Sequence, residues 1–149
     1  MSIEINRFVV ALTSITALAV LSACAALASG PEANAKLDTM PPPAPYAQVS
    51  RLLPLPEFIP GLGTIFVAPD TLPAGPFLGY DRDGRLSATI YMTPLKDLEG
   101  GISFDDLAVG NSNVVSVDIY YNAGHPGVEA PHAHVVLFHD EGAKGRLAE

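Results

Sequence analysis

Cysteine occurs once in this chain and tryptophan not at all, and basic side chains are few: eight Lys or Arg against sixteen Asp or Glu, a formal charge of −8. A lone cysteine excludes a disulfide framework within the chain, so a mature domain must be held by its core or by a metal. The acidic balance repels phosphate backbones, and nucleic acid is not an expected partner. The five tyrosines and six phenylalanines are scattered as in ordinary β cores, with no platform for stacking bases. Histidine is the remaining scarcity: there are four, all between His125 and His139.

The N-terminal stretch "MSIEINRFVVALTSITALAVLSACAALASG" has the pattern of a targeting segment. Arg7 gives a short positive end, an apolar run covers Phe8 to Leu21, and no charge follows until Glu32. Its single cysteine closes "LSAC", Leu21 to Cys24. These four residues resemble the lipobox of bacterial lipoproteins, which implies cleavage after residue 23 and a lipid on Cys24. Two alternatives stand beside it: ordinary cleavage after "ALA", Ala26 to Ala28, and an uncleaved anchor. All three place the later residues outside the cytoplasm, with the lipid reading adding a membrane tether.

Residues 24–46 then read as lipidated cysteine and spacer, since four prolines between 41 and 45 favour an extended chain. Residues 47–149 read as one β-rich domain. "AQVSRLLPLPEFIPGLG" is apolar but broken by Pro54, Pro56 and Pro60, which predicts one helical turn at most and then an irregular strap. Thr64 to Val67 is a candidate strand. Asp83-Gly84 predicts a hairpin between Phe77–Tyr80 and Arg85–Met92, whose Leu86, Ala88, Ile90 and Met92 alternate with Ser87, Thr89 and Tyr91. "TPLKDLEGG" predicts a short helix capped by Thr93 with Pro94 at its first position, and "SFDDLAVG" a second helical turn. In "NVVSVDIYYN", Val115, Val117, Ile119 and Tyr121 share one strand face, and Ser116, Asp118, Tyr120 and Asn122 the other. The tail "EGAKGRLAE" reads as frayed and solvated. The fold class expected is mainly β with little helix: a compact antiparallel barrel or sandwich, or a cupin-like half-barrel.

The functional signal lies in "GHPGVEAPHAHVVLFHD", residues 124–140. On a strand His132 and His134 share a face about 6.5–7 Å apart along the backbone, and two imidazoles so placed can converge on one ion. His139 has odd parity and faces away unless a bulge intervenes. Further ligands must come from the preceding loop, which offers His125 and Glu129, or from Asp118 on the neighbouring strand. Neutral imidazole suits zinc first, with iron, copper or nickel as alternatives. The competing reading is that these are packing histidines bonded to carbonyls, or pH-sensing groups of an interaction module.

Two resemblances attach to these residues. Pro126, Gly127, Pro131, His132 and His134 are similar to the first metal motif of cupins, P-G followed by P-x-H-x-H. The acidic residue that follows in cupins is replaced by Phe138 and His139, and no second histidine motif has room after residue 139, so only a cupin-like half is implied. "YNAGHPGVEAPHAHVVLFH" more closely resembles a C-terminal signature, N-x-x-G-H-x-P-G…V-P-H-x-x-x-H-F, of an uncharacterised family of exported bacterial and archaeal proteins. Asn122, Gly124, His125, Pro126, Gly127, Pro131 and His132 carry that likeness, which implies secretion and a histidine-lined pocket. The family's second histidine falls at Val136 here, whereas this chain has His134.

Other motifs fail on their chemistry. An EF-hand loop begun at Asp81 would need oxygen ligands at Arg85 and Met92, so "DRDG" is a turn. "GNSNV" lacks the second glycine of a nucleophile elbow, and "PGLGT" has no lysine for a phosphate loop. The functional expectation is therefore a tethered extracytoplasmic domain holding a transition metal through His125, His132, His134 and Glu129. An enzyme using the same site, a hydrolase or a cupin-like oxygenase with Glu129 or His139 as acid or base, is the alternative. A small-molecule ligand fits such a site. Strap residues such as Leu52, Leu53, Phe58 and Ile59 read equally as part of a subunit contact or of the core.

Overall fold

The computed structural model describes residues 36–149; the stretch expected to be a targeting segment, with Cys24, lies outside them. Six strands form one antiparallel sheet: β1 (Ala47–Gln48), β2 (Thr64–Val67), β3 (Phe77–Tyr80), β4 (Leu86–Pro94), β5 (Ser116–Asn122) and β6 (His132–Phe138), in the order β1-β2-β3-β4-β6-β5. β6 therefore sits between β4 and the edge strand β5. The outer strands are not paired with each other, which makes the architecture an open, mainly β sheet of half-barrel type. The two short helices are α1 (Leu95–Glu99) and α2 (Ala143–Ala148). Among the described residues no helix is long and apolar enough to cross a membrane.

The front face is the main core. Val67, Phe77, Ala88, Ile90, Val136 and Phe138 point into it, under the proline-broken strap and α2. Three prolines keep the strap from extending a helix past the single 3-10 turn Val49–Arg51, so it crosses the sheet as an irregular cover. The tail expected to fray is instead packed: Ala143 and Leu147 are fully buried. Arg146 holds it down, pairing with Asp140 and with buried Asp81 at 2.6 Å each. Two buried apolar side chains plus a guanidinium between two carboxylates outweigh the weak helix propensity of Gly145.

Asp81 shows why "DRDG" turns. Its Oδ1 accepts the backbone N–H groups of Asp83 and Arg85, and its Oδ2 accepts from Ser87 and Arg146. Burial alone would raise its carboxyl, but those bonds, led by the Arg85 amide, bring it below the ordinary carboxylate range.

The back face is covered unevenly. Residues 37–46, expected to be spacer, lie against it: Leu37 and Tyr46 pack on Phe66, Leu78 and Tyr80, and Thr39 bridges Arg85. The packed body thus reaches ten residues further toward the N-terminus than the expected start at 47. β4 is buried along nearly its whole length because the 102–113 loop crosses behind it, its Ala108 carbonyl accepting from Tyr91 Oη and its Gly110 amide donating to Thr89. That docking also explains why "SFDDLAVG" is not helical. Similarly, Thr93 continues the β4–β6 ladder opposite Ala133 rather than capping a helix, and Pro94 takes the cap position. Among the described residues nothing covers the back of β5, where Val117, Ile119 and Tyr121 are exposed.

Candidate metal centre

Three of the four histidines meet. His132 pairs across from Pro94 and Asn122, and His134 from Met92 and Tyr120, all on the front face. Even spacing on β6 is what puts both rings on that side, and both are buried. His125 arrives from the loop before β6. His125–Val128 closes a two-residue turn, with hydrogen bonds of 3.0 Å in both directions between its ends. Proline at its second position and Gly127 at φ +90° in its third are the chemistry of a type II turn. This turn drops Val128 into the core and stands His125 beside the strand pair.

The ligand atoms of His125, His132 and His134 all lie within 4.8 Å of one another. The Nε2 atoms of His132 and His134 are 3.0 Å apart. Zn–N bonds of about 2.0–2.1 Å at tetrahedral angles would put such atoms roughly 3.3 Å apart, so this pair is already at ligand spacing. The other ring nitrogens are engaged in a way that presents Nε2 to the centre. His132 Nδ1–H donates to the Ala130 carbonyl at 2.7 Å, and His125 Nδ1–H to the Pro126 carbonyl at 3.1 Å. His134 Nδ1 meets the Tyr120 hydroxyl at 3.2 Å. Orientation of a ligating imidazole through its far nitrogen is the usual way proteins fix tautomer and ring direction.

Electrostatics favour a neutral His134 ring. His134 is pushed down to about 4, by burial first and then by His132 and His125. It therefore stays neutral, with one ring nitrogen free to accept, well into mildly acidic solution. Since His132 Nε2 has no proton to give, the 3.0 Å contact requires His134 to donate its Nε2–H and Tyr120 to donate to Nδ1. A metal between the rings requires the opposite tautomer at His134, with Nδ1–H donating to the Tyr120 oxygen. The tyrosine hydroxyl serves both states.

Other expected site residues stand apart. Glu129 is exposed and not among the converging ligand atoms. Asp118 is turned to Lys144, at 2.6 Å. His139 is buried behind the sheet, with Nδ1 on the Asn113 carbonyl at 2.7 Å and Nε2 on Thr89 Oγ1 at 2.8 Å. Both nitrogens are occupied, so it is a packing residue and not an acid or base of this centre. Tyr120 was missed by sequence reasoning, although its parity with Asp118 already put it on the His134 face.

A cavity of about 510 Å³ opens beside the centre, with His125 and His134 in its wall. No protein-family model matches the chain, and no curated protein matches it significantly. Among solved structures, the hypothetical protein TTHB210 from Thermus thermophilus is 40% identical; the match covers 63% of this chain and 88% of that one, with a TM-score of 0.55. The chain belongs to the family of this Thermus protein. Membership carries the fold, and the three convergent histidines carry the chemistry: they could hold a metal ion.

Proposed function

We propose that this chain is an extracytoplasmic domain, tethered to a membrane through a lipid on Cys24, that binds a transition metal through His125, His132 and His134. The observation that carries the metal reading is the arrangement of the far nitrogens: two on backbone carbonyls, one on a tyrosine, and all three rings turned to one point. Three neutral nitrogen ligands suit zinc, with iron, copper and nickel next. The decisive test is elemental analysis of the chain purified without a histidine tag, together with His132→Ala and His134→Ala. One equivalent of metal in the parent, lost in both variants, is the expected result; parent protein that takes up no zinc, iron, copper or nickel under loading refutes it. For the tether, Cys24→Ala should move the chain from the membrane to the soluble fraction.

The second reading, a metal-dependent enzyme, is favoured by one feature. Three protein ligands leave coordination positions open, as in catalytic rather than structural zinc sites, and the centre borders a cavity. With Glu129 exposed and outside the converging set and His139 behind the sheet, Tyr120 is the protein group placed to hold or pass a proton there.

A further inference from the structure

Building on the metal reading, we infer that the cavity beside the histidines takes an apolar molecule whose single terminal oxygen group ligates the metal. The walls come from the strap and the front of the sheet, among them Leu53, Leu55, Val67, Phe77 and Ile90, and among the described residues no Lys, Arg, Asp or Glu side chain lines them. The polar side chains in the lining, Tyr120, Asn122, His125 and His134, belong to the histidine site and to the part of β5 beside it. Its volume lies in the range of small-molecule sites, roughly 300–1,000 Å³. Leu52 and Leu72 remain 47% and 44% exposed at its margin, apolar surface that a bound tail would remove from water. An ionised group along the tail would find no partner in such walls. At the polar end, three neutral imidazoles leave the charge of a divalent ion uncompensated, so an anionic oxygen group such as a carboxylate is the favoured head.

The test uses cobalt(II) as a visible reporter in the untagged protein, titrated with octanoate and with acetate, which has the same head and no tail. Octanoate should change the cobalt absorption at concentrations at least about 100-fold below acetate, since each buried methylene adds several-fold in affinity. Leu72→Glu, at the exposed margin, should retain cobalt and lose most of that preference. Cobalt uptake with equal sensitivity to both acids would overturn the inference and leave the metal reading intact. In metal-free protein the titration is read by competition with a neutral fluorescent apolar dye. Dye displacement by octanoate in a protein that takes up no cobalt would overturn the metal reading and the proposed head contact, while retaining the apolar site.

Discussion

Tyr120 and His139 are ring side chains beside β6, and their surroundings assign them opposite roles. The Tyr120 phenol is pushed up, by burial first and by the Asp118 charge second, so it stays protonated and can donate or accept. Tyr120→Phe removes only the hydroxyl from a partly exposed ring, leaving the contact with the His134 ring at 5.0 Å. Zinc affinity measured by chelator competition is expected to fall roughly 10-fold, the low end for losing a hydrogen bond to a ligating histidine. Unchanged affinity would mean that stacking alone orients His134. His139, in contrast, is held neutral: burial, the largest influence, lowers it below the ordinary histidine value despite the Asn113 carbonyl and nearby acids. An unfolded chain binds that proton more readily than the folded one, so the stabilisation is complete above about pH 6.5 and declines as acidity approaches the lowered folded value. His139→Gln should show a lower melting temperature at pH 7.5, by about 1–3 kcal/mol of stability, and a shallower loss between about pH 7 and 5. Zinc content should be unaffected.

At the scale of elements, the strand alternation was legible and its direction was not. β4 and β6 place their apolar or histidine faces inward as their sequences indicate. β5 reverses the naive choice: the apolar stripe Val117, Ile119 and Tyr121 faces solvent, while Ser116, Asp118 and Asn122 lie on the face turned to the histidines. The reason is register. Pairing Tyr120 with His134 and Asn122 with His132 fixes which face joins the front, and the histidine pair rather than apolar content decides it. Ile119, 69% exposed, therefore contributes little: Ile119→Lys should shift unfolding free energy by less than about 0.5 kcal/mol. Ile90→Ala, at 2% exposure, should cost about 2–5 kcal/mol in the same urea titrations. A comparable loss at Ile119 would show that its face is covered. Loop contacts were the least legible features. The docking of 102–113 behind β4 and the contacts of Arg146 with Asp81 and Ser87 bring together segments far apart in the chain, the latter 65 and 59 positions apart, and no local periodicity reports them. The histidine cluster was legible because it is largely local: two of its histidines lie on one strand and the third on the turn just before it.

Across the whole molecule, the centre links parts with little else in common. His132 and His134 belong to the strand at the middle of the β4-β6-β5 ladder, His125 to a turn whose Gly127 is packed closely on the side chain of strap residue Leu53. Metal binding should therefore pull strap, turn and sheet together, in a body that has no disulfide to do so. A ligand that binds only the folded state stabilises it by about 2.7 kcal/mol at a hundredfold excess over its dissociation constant. For a domain of this size that corresponds to a rise in melting temperature on the order of 10 °C. Calorimetry with and without zinc should show it, with reversal by a chelator and no response in His134→Ala. Gly127→Ala makes the link specific. Its positive φ opposes any side chain, and the tip of Leu53 would also have to move, so the turn that carries His125 should be displaced. The zinc-dependent rise should shrink while His132 and His134, on the strand, still bind weakly. A full response in that variant would show that the two strand histidines suffice and that the turn does not take part.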